Sequence, residues 1–199
     1  MSKDIKHDIF SKFIKKALDE YIKSITNKFN ITVVRHADVL FYLDSIKSFI
    51  IELRGLVKPN QQKDKFIEIC MYGLGMLLLI KPSDVDEKKF LQSTVAEITK
   101  LYNDKYKLYG NSLNNIFDTF GYIAFVILIA IKRERLLNFV HKINVDSPIS
   151  VLSDNKIFVD NIFDLIDYCI IACVELEYAK INSNNVFKIL SKVFKIRGK

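Results

Sequence analysis

Residues that break helices are scarce in this chain. Its 199 residues include only 6 Gly and 3 Pro, and tryptophan is absent. This composition excludes folds that depend on many tight turns, and it favours long helices. A chain of this length is expected to form one domain with a proper hydrophobic core.

Residues that bind metals or form disulfides are also few. Cys70, Cys169 and Cys173 all lie in apolar segments, and no second Cys or His pair completes a zinc set. We therefore predict buried, reduced thiols in a cytoplasmic protein. Nucleophile-based catalysis has no support, because the P-loop, the Gly-x-Gly-x-x-Gly turn, the Ser/His/Asp set and the His-Glu-x-x-His motif are all missing.

Long hydrophobic runs are limited to one segment. The apolar run from Gly121 to Ile131 is too short to cross a bilayer, which needs about 20 residues. It is predicted to be a central core helix. Charges at Lys3, Asp4 and Lys6 argue against a secretory signal.

Positive charge is in excess, with a net charge of +7. Such an excess favours acidic partners such as a nucleotide, a nucleic acid or an anionic membrane face, although solubility alone also accounts for it.

Apolar residues recur at helical spacing almost everywhere, and sustained alternation of period two is absent. The chain is therefore predicted to be all-α, a single bundle of about seven helices. Asp84 and Glu87 have the spacing of a helix N-cap and its capping-box partner. Residues 31–34 are predicted to be an extended link, and residues 142–156 are predicted to be a loop. The predicted helices are 6–29, 37–56, 65–80, 84–106, 113–140, 157–180 and a short C-terminal one within 184–197.

The two halves of the chain resemble each other. The segment from Phe66 to Gly75 is similar to the segment from Phe163 to Ile171, and each follows a helix that ends in cations and leucines, around Arg54 and around Arg135. Two degenerate helical repeats, about 6–82 and 84–181, account for this order of elements. Chance similarity between two amphipathic helices is the alternative.

Three carboxylates share one face of the sixth predicted helix. Asp160, Asp164 and Asp167 lie within about 60° of one another at 100° per residue. Carboxylates one turn apart suit Mg²⁺, which in turn bridges to a di- or triphosphate. The alternative is that this is simply the solvated face of an amphipathic helix.

Two cations lie one turn apart on the preceding helix. Lys132 and Arg135 could bind a phosphate, or they could only complement the dipole at the C-terminal end of that helix. Arg133 and Glu134 between them are predicted to face solvent. Upstream, the sequence Tyr109-Gly110-Asn111-Ser112 predicts a left-handed turn and a helix cap, whose free N–H groups can bind an anion.

At these residues the chain resembles the nucleotide modification associated domain 1 family of bacterial and phage proteins, which consist of two tandem helical repeats. The departures are Leu108, where the family has Asp, and Tyr106, where it has Asn. The resemblance implies a role in nucleotide or DNA modification. All-α nucleotide pyrophosphatases are similar in design, but their paired acidic motifs are missing. The positions that match the family are Lys105, Tyr109-Gly110, Lys132, Arg135-Leu136, Asp160, Asp164 and Tyr168.

A second segment resembles a different family. Phe117-Asp-Thr-Phe-Gly-Tyr-Ile-Ala-Phe is similar to the Asn-Trp-Gly-Arg start of the core helix in Bcl-2-like proteins, including viral ones. Phe120 replaces the Trp, and Tyr122 replaces the Arg that would pair with an acid on the partner. This resemblance implies a groove that binds an amphipathic helix.

The leading hypothesis is a nucleotide-binding protein linked to nucleotide or DNA modification, and a Mg²⁺-dependent phosphohydrolase is one form that it could take. Asp160 and Asp164, with Asp167 beside them, would hold Mg²⁺. Lys105, Lys132 and Arg135 would bind phosphate, and Tyr109 would stack on a base. The alternative is a helical interaction protein without enzymatic activity, with a protein partner or a second copy. Nucleic-acid binding through the basic surface is a third hypothesis, and a steep loss of affinity with salt would be its mark.

Overall fold

The computed structural model describes the backbone of residues 2–26, 36–81, 84–109, 112–143 and 149–196. At the ends of several helices, including 105–109 and 182–196, it describes the backbone alone. Within these ranges the chain forms eight α-helices and no strand, which confirms the predicted all-α class. They are α1 Ser2–Thr26, α2 His36–Leu53, α3 Pro59–Leu79, α4 Glu87–Tyr109, α5 Ser112–Phe120, α6 Ile123–Lys142, α7 Ser150–Ser153 and α8 Lys156–Ile196.

Local capping explains where the helices begin. Pro59 opens α3, a position where its missing N–H costs nothing. The cap of α4 is Asp86, whose Oδ1 accepts the backbone N–H of Lys89 at 2.9 Å, so the predicted cap at Asp84 lies two residues too early. Asn155 caps α8 in the same way, since its Oδ1 accepts the N–H of Phe158 at 3.1 Å.

Helices α3 and α8 form the centre of the bundle and pack against each other. Gly73 permits this close packing, because a Cβ at that position would lie 2.6 Å from Cγ1 of Ile166. On one side of this pair lie α2 and α6, which contact each other as well as α3 and α8 respectively. On the other side α1 contacts both central helices and α4. The core is therefore continuous from α1 to α6.

The order of helix contacts bears on the predicted repeat. If α1, α2 and α3 correspond to α4, α6 and α8, each helix contacts its counterpart: α1 with α4, α2 with α6, and α3 with α8. A duplicated unit related by an approximate two-fold axis would give this pairing. The duplication itself stays a prediction.

Several predicted boundaries differ from the structure. Helix α3 begins at Pro59, six residues before its predicted start at residue 65. The predicted helix 113–140 is broken at Gly121, whose φ of 62° is left-handed, so α5 and α6 point in different directions. The predicted helices 157–180 and 184–197 are one continuous helix, α8, because the polar run between them contains neither Gly nor Pro. Residues 142–156 contain the short α7. The predicted link at 31–34 and the turn at Gly110 and Asn111 lie outside the described residues.

Candidate functional site

The predicted cation and acid helices meet along the bundle. Nζ of Lys132 on α6 lies 2.6 Å from Oδ2 of Asp164 on α8. Further along, the rings of Phe139 and Phe158 are in edge contact at 6.2 Å. Residue numbers therefore rise along α6 as they fall along α8, and the two helices are antiparallel.

The other predicted site residues on these helices are spread around this ion pair. Arg135 and Asp160 are exposed, and neither forms an ion pair with a residue whose side chain the structure describes. The structure thus brings together Lys132 and Asp164, with Arg135 one turn along α6 and Asp160 one turn before Asp164 on α8. The side chains of Lys105 and Tyr109, in the last turns of α4, lie outside the described residues.

The three aspartates share a face of α8 but lie at three depths. Asp160 is exposed, Asp164 is partly buried, and Asp167 is buried near Cys70. The pKa of the Cys70 thiol is raised mainly by burial, and Asp167 adds to that rise. Over the described residues no group of three or more His, Cys, Asp or Glu side chains could hold a metal. Mg²⁺ binding stays a prediction, since two carboxylates and several waters are also a common Mg²⁺ site.

The thiols offer no reactive group. Cys70, Cys169 and Cys173 are free and fully buried, as predicted. Burial raises the pKa of each above that of an ordinary thiol. They therefore stay protonated and act as small core residues.

Arg133 is buried, and the prediction that it faces solvent is wrong. Its Nε donates to the carbonyl of Leu43 on α2 at 3.0 Å, and its terminal nitrogens contact Asp44 and Glu134. The sequence carried the signal for this position: Arg133 lies four residues after Ile129 and three before Leu136, both of which are buried. Glu134 is exposed, as predicted.

A buried ion pair joins α1 to α8. Nζ of Lys6 contacts both carboxylate oxygens of Glu175 at 2.8 and 2.7 Å, and it also lies 4.5 Å from the ring centre of Tyr178. The side chains of Lys6 and Glu175 are only 5% and 7% exposed. Burial raises the pKa of Glu175, and Lys6 partly offsets that rise. From the sequence, Lys6 was only part of a charged N-terminus.

The apolar run is where the structure departs most from expectation. Between residues 123 and 131 of α6 every exposed position is an isoleucine: Ile123, Ile127 and Ile131, with exposed fractions of 36%, 54% and 44%. We call these three residues the isoleucine stripe. The prediction of a central core helix is wrong, because α3 and α8 occupy the centre and this side of α6 faces solvent. Two further apolar side chains, Ile116 and Phe120, are exposed on α5, which precedes the stripe in the chain.

Helix α2 adds to the same surface. The hydroxyl of Tyr122 lies 2.9 Å from the carbonyl of Leu56 and 3.2 Å from that of Leu53, at the end of α2. Because Arg133 bonds to Leu43, further back along α2, the two helices are antiparallel. In this register Ile51, which is more than half exposed, lies level with the first half of the isoleucine stripe.

Large exposed apolar side chains that share one side of a helix are less common on a protein surface than isolated ones. Tyr122 replaces the Arg of the Bcl-2-like motif, and its hydroxyl is bonded within the molecule. Comparison of the chain with protein families, with curated proteins and with solved structures gives no match. Across the part of the chain that the structure describes, no helix has the length and apolar character needed to span a membrane.

Proposed function

We propose that this chain acts as a helical interaction protein, which binds an amphipathic helix of a partner protein against the isoleucine stripe. The observation that carries this proposal is the one noted above: each exposed position in the first half of α6 is an isoleucine. The solvent-exposed face of an ordinary amphipathic helix would carry polar side chains at such positions. The β-branched isoleucines have few rotamers to lose when a partner covers them.

The form of the surface suits a helix as the bound element. The stripe has four-residue spacing, so its side chains form one ridge along α6. Phe120 is exposed at the end of α5, just before the stripe, and Ile51 is exposed on α2, level with the first half of the stripe. A partner helix with apolar residues three and four apart would bury all of these side chains together.

The test is a selection of amphipathic helices displayed on yeast, with their affinities measured by fluorescence titration. Ile127→Lys should weaken the selected helices about tenfold or more. About half of this side chain remains to be buried, which is worth about 1 kcal/mol, and a lysine there adds a desolvation cost. Ile157→Lys, at an exposed position near the start of α8, is the matched control. Equal binding by the two variants would refute the proposal.

Phosphate or nucleotide binding is a second candidate, supported by the meeting of Lys132 and Asp164 near Arg135 and by the resemblance to nucleotide-modification proteins. A ligand would have to separate Lys132 from Asp164, which makes this candidate weaker than the first. A thermal-shift screen of nucleotides with and without Mg²⁺ tests it, since a ligand at 100 times its Kd stabilises by about 2.7 kcal/mol. Arg135→Gln should abolish such a shift; a shift that survives this change, or none with any nucleotide, would count against the site.

A further inference from the structure

Building on the proposed function, we infer that α5 and α6 interconvert between the kinked form described above and one straight helix. The rotation that joins the two helices takes place at Gly121. The straight form carries a longer apolar ridge, and it is the form that the partner helix binds.

The sequence favours a helix that continues through Gly121. At 100° per residue, Ile116 and Phe120 would lie within about 20° of Ile127 if α5 continued α6 without a break. Both side chains would then belong to the same side of the helix as the isoleucine stripe. The ridge from Ile116 to Ile131 would be about 22 Å long, whereas the stripe alone spans about 12 Å. The kink therefore divides an apolar ridge that is continuous in the sequence.

A single backbone position separates the two forms. Gly121 has a φ of 62°, and it is the one residue with a positive φ in the described part of the chain. The next residue, Tyr122, already has helical angles, with φ −63° and ψ −20°. No atom lies within 4 Å of the place that a Cβ of Gly121 would occupy, so the turn is not packed against other residues. Glycine adopts either sign of φ with similar ease, so a rotation there would join the two helices.

The kink also leaves helical hydrogen bonds unmade. The N–H of Gly121 bonds to the carbonyl of Phe117 at 2.7 Å, which is the last bond of this kind in α5. The next one joins the N–H of Val126 to the carbonyl of Tyr122 at 3.2 Å. In this described segment the four N–H groups between them make no bond to the fourth residue before them. A straight helix would supply one to each.

Few contacts hold α5 in the kinked position. It packs on α6, where the ring centres of Phe117 and Phe125 are 6.1 Å apart, and it has no extensive contact with another described helix. The pKa of Glu175 is raised mainly by burial and lowered by Lys6, and the nearby charge of Asp118 on α5 adds to the rise. Because the two carboxylates have the same charge, this contact between α5 and α8 is repulsive.

The connection to α4 permits the movement. Helix α4 ends at Tyr109, and α5 begins at Ser112. The side chain of Asn103, two turns before the end of α4, contacts His7 on α1 at 3.2 Å. The chain from Asn103 to Ser112 spans up to about 30 Å when extended, so the last turns of α4 can unwind to follow α5.

Distances between two spin labels test the rotation. Asn115→Cys on α5 and Asn138→Cys on α6 place the labels at exposed positions, and the three native thiols are buried and will not react. In a straight helix the two Cα atoms would be about 35 Å apart, and the kinked form gives a shorter distance.

Substitution of Gly121 should change the populations of the two forms. In the labelled chain, Gly121→Ala should raise the ratio of straight to kinked form roughly thirtyfold, because alanine favours a helix and disfavours a left-handed φ. Gly121→Asn is the matched control, since asparagine tolerates a left-handed φ, and it should change the ratio by no more than about threefold.

A helix from the yeast selection, added at saturation, should move the wild-type chain to the long distance. It should also bind Gly121→Ala more tightly than Gly121→Asn, because more of the alanine variant is already straight. The inference is overturned if the long distance appears neither in Gly121→Ala nor in the wild type with the helix bound. A long distance in free Gly121→Ala but not in the bound wild type would refute the claim that the partner binds the straight form.

The failure of this inference is distinguishable from that of the proposed function. If the selected helices lose affinity with Ile127→Lys while the label distance never changes, the proposed function stands and only the rotation is refuted. If Ile127→Lys leaves helix binding unchanged, the proposed function fails, and a long distance in free Gly121→Ala would still support the rotation.

Discussion

Replacing Lys6 by Met should destabilise this protein more than almost any other single change at a charged residue. Lys6 and Glu175 are both almost fully buried and contact each other through two short bonds. Met has nearly the same length as Lys, so packing against Tyr178 is largely kept while the charge is lost. The Glu175 carboxylate is then left buried without its cation.

The expected loss is about 3–5 kcal/mol in the free energy of unfolding, which is the usual cost of breaking a buried pair from one side. At about 2–4 °C per kcal/mol for a chain of this size, the melting temperature should fall by roughly 6–20 °C. Removing both partners, with Lys6→Met and Glu175→Leu together, should return the stability to near that of the wild type or above it.

The pH dependence of stability provides a second test of the buried Lys6–Glu175 ion pair. Burial already raises the pKa of Glu175, Lys6 opposes the rise, and the nearby charge of Asp118 adds to it. Without Lys6 the pKa of Glu175 in the folded state rises further above its unfolded value. The folded state then binds more protons than the unfolded state, so stability falls as the pH rises through that window and recovers as it is lowered. The recovery should not exceed about 1.4 kcal/mol per pH unit.

Urea titrations across this pH range measure both effects. Lys16→Met is the matched control, because Lys16 pairs with Glu20 and Asp64 while well exposed, and its loss should cost no more than about 1 kcal/mol. The reasoning would be refuted if Lys6→Met cost as little as Lys16→Met, or if its deficit grew as the pH was lowered.

Three further changes test the packing. Gly73→Ala should lower the free energy of unfolding, measured by urea titration, by about 1–3 kcal/mol, because the new Cβ would lie 2.6 Å from Ile166. Gly55→Ala is the control and should be tolerated, because the atom nearest to a Cβ at that position is 3.7 Å away. Gly121→Ala should lower the free energy of unfolding by about 1–2 kcal/mol in the same assay, because the φ of 62° at this position is strained for alanine, although no atom would contact the new Cβ. Gly121→Asn should lower it less, since asparagine tolerates a left-handed φ better, and equal losses for the two variants would contradict this reasoning. Arg133→Met should lower the free energy of unfolding by about 1–3 kcal/mol, since a buried carbonyl loses its donor, and a neutral result would show that water replaces it.

The helical class of this fold was predictable because the sequence contains few breakers and repeats its apolar residues at helical spacing. Helix boundaries were less predictable because short local signals decide them. The cap of α4 is one of two nearby acids, Asp84 or Asp86, and only the structure shows that Asp86 accepts the backbone N–H. The break at Gly121 was missed because the apolar pattern runs on through it.

The candidate site was less predictable still, because helical periodicity gives the direction of a side chain but not its depth. Asp160 and Asp167 share a face of α8, yet one is exposed and the other buried, since neighbouring helices cover only part of that face. For the apolar run of α6 the uncertain property was instead the direction in which each side chain points. A helix that is hydrophobic on all sides does not show which side the core covers, so the exposure of Ile127 could be seen only in the structure.

The isoleucine stripe lies between two side chains that fasten α6 to α2. Tyr122 reaches the carbonyls at the end of α2 just before the stripe begins, and Arg133 reaches the carbonyl of Leu43 just after it ends. Both ends of the exposed segment are therefore held by hydrogen bonds to the same neighbouring helix. A partner of the kind proposed above would meet a preorganised surface, and because little conformational entropy would be lost there on association, most of the apolar burial would contribute to affinity.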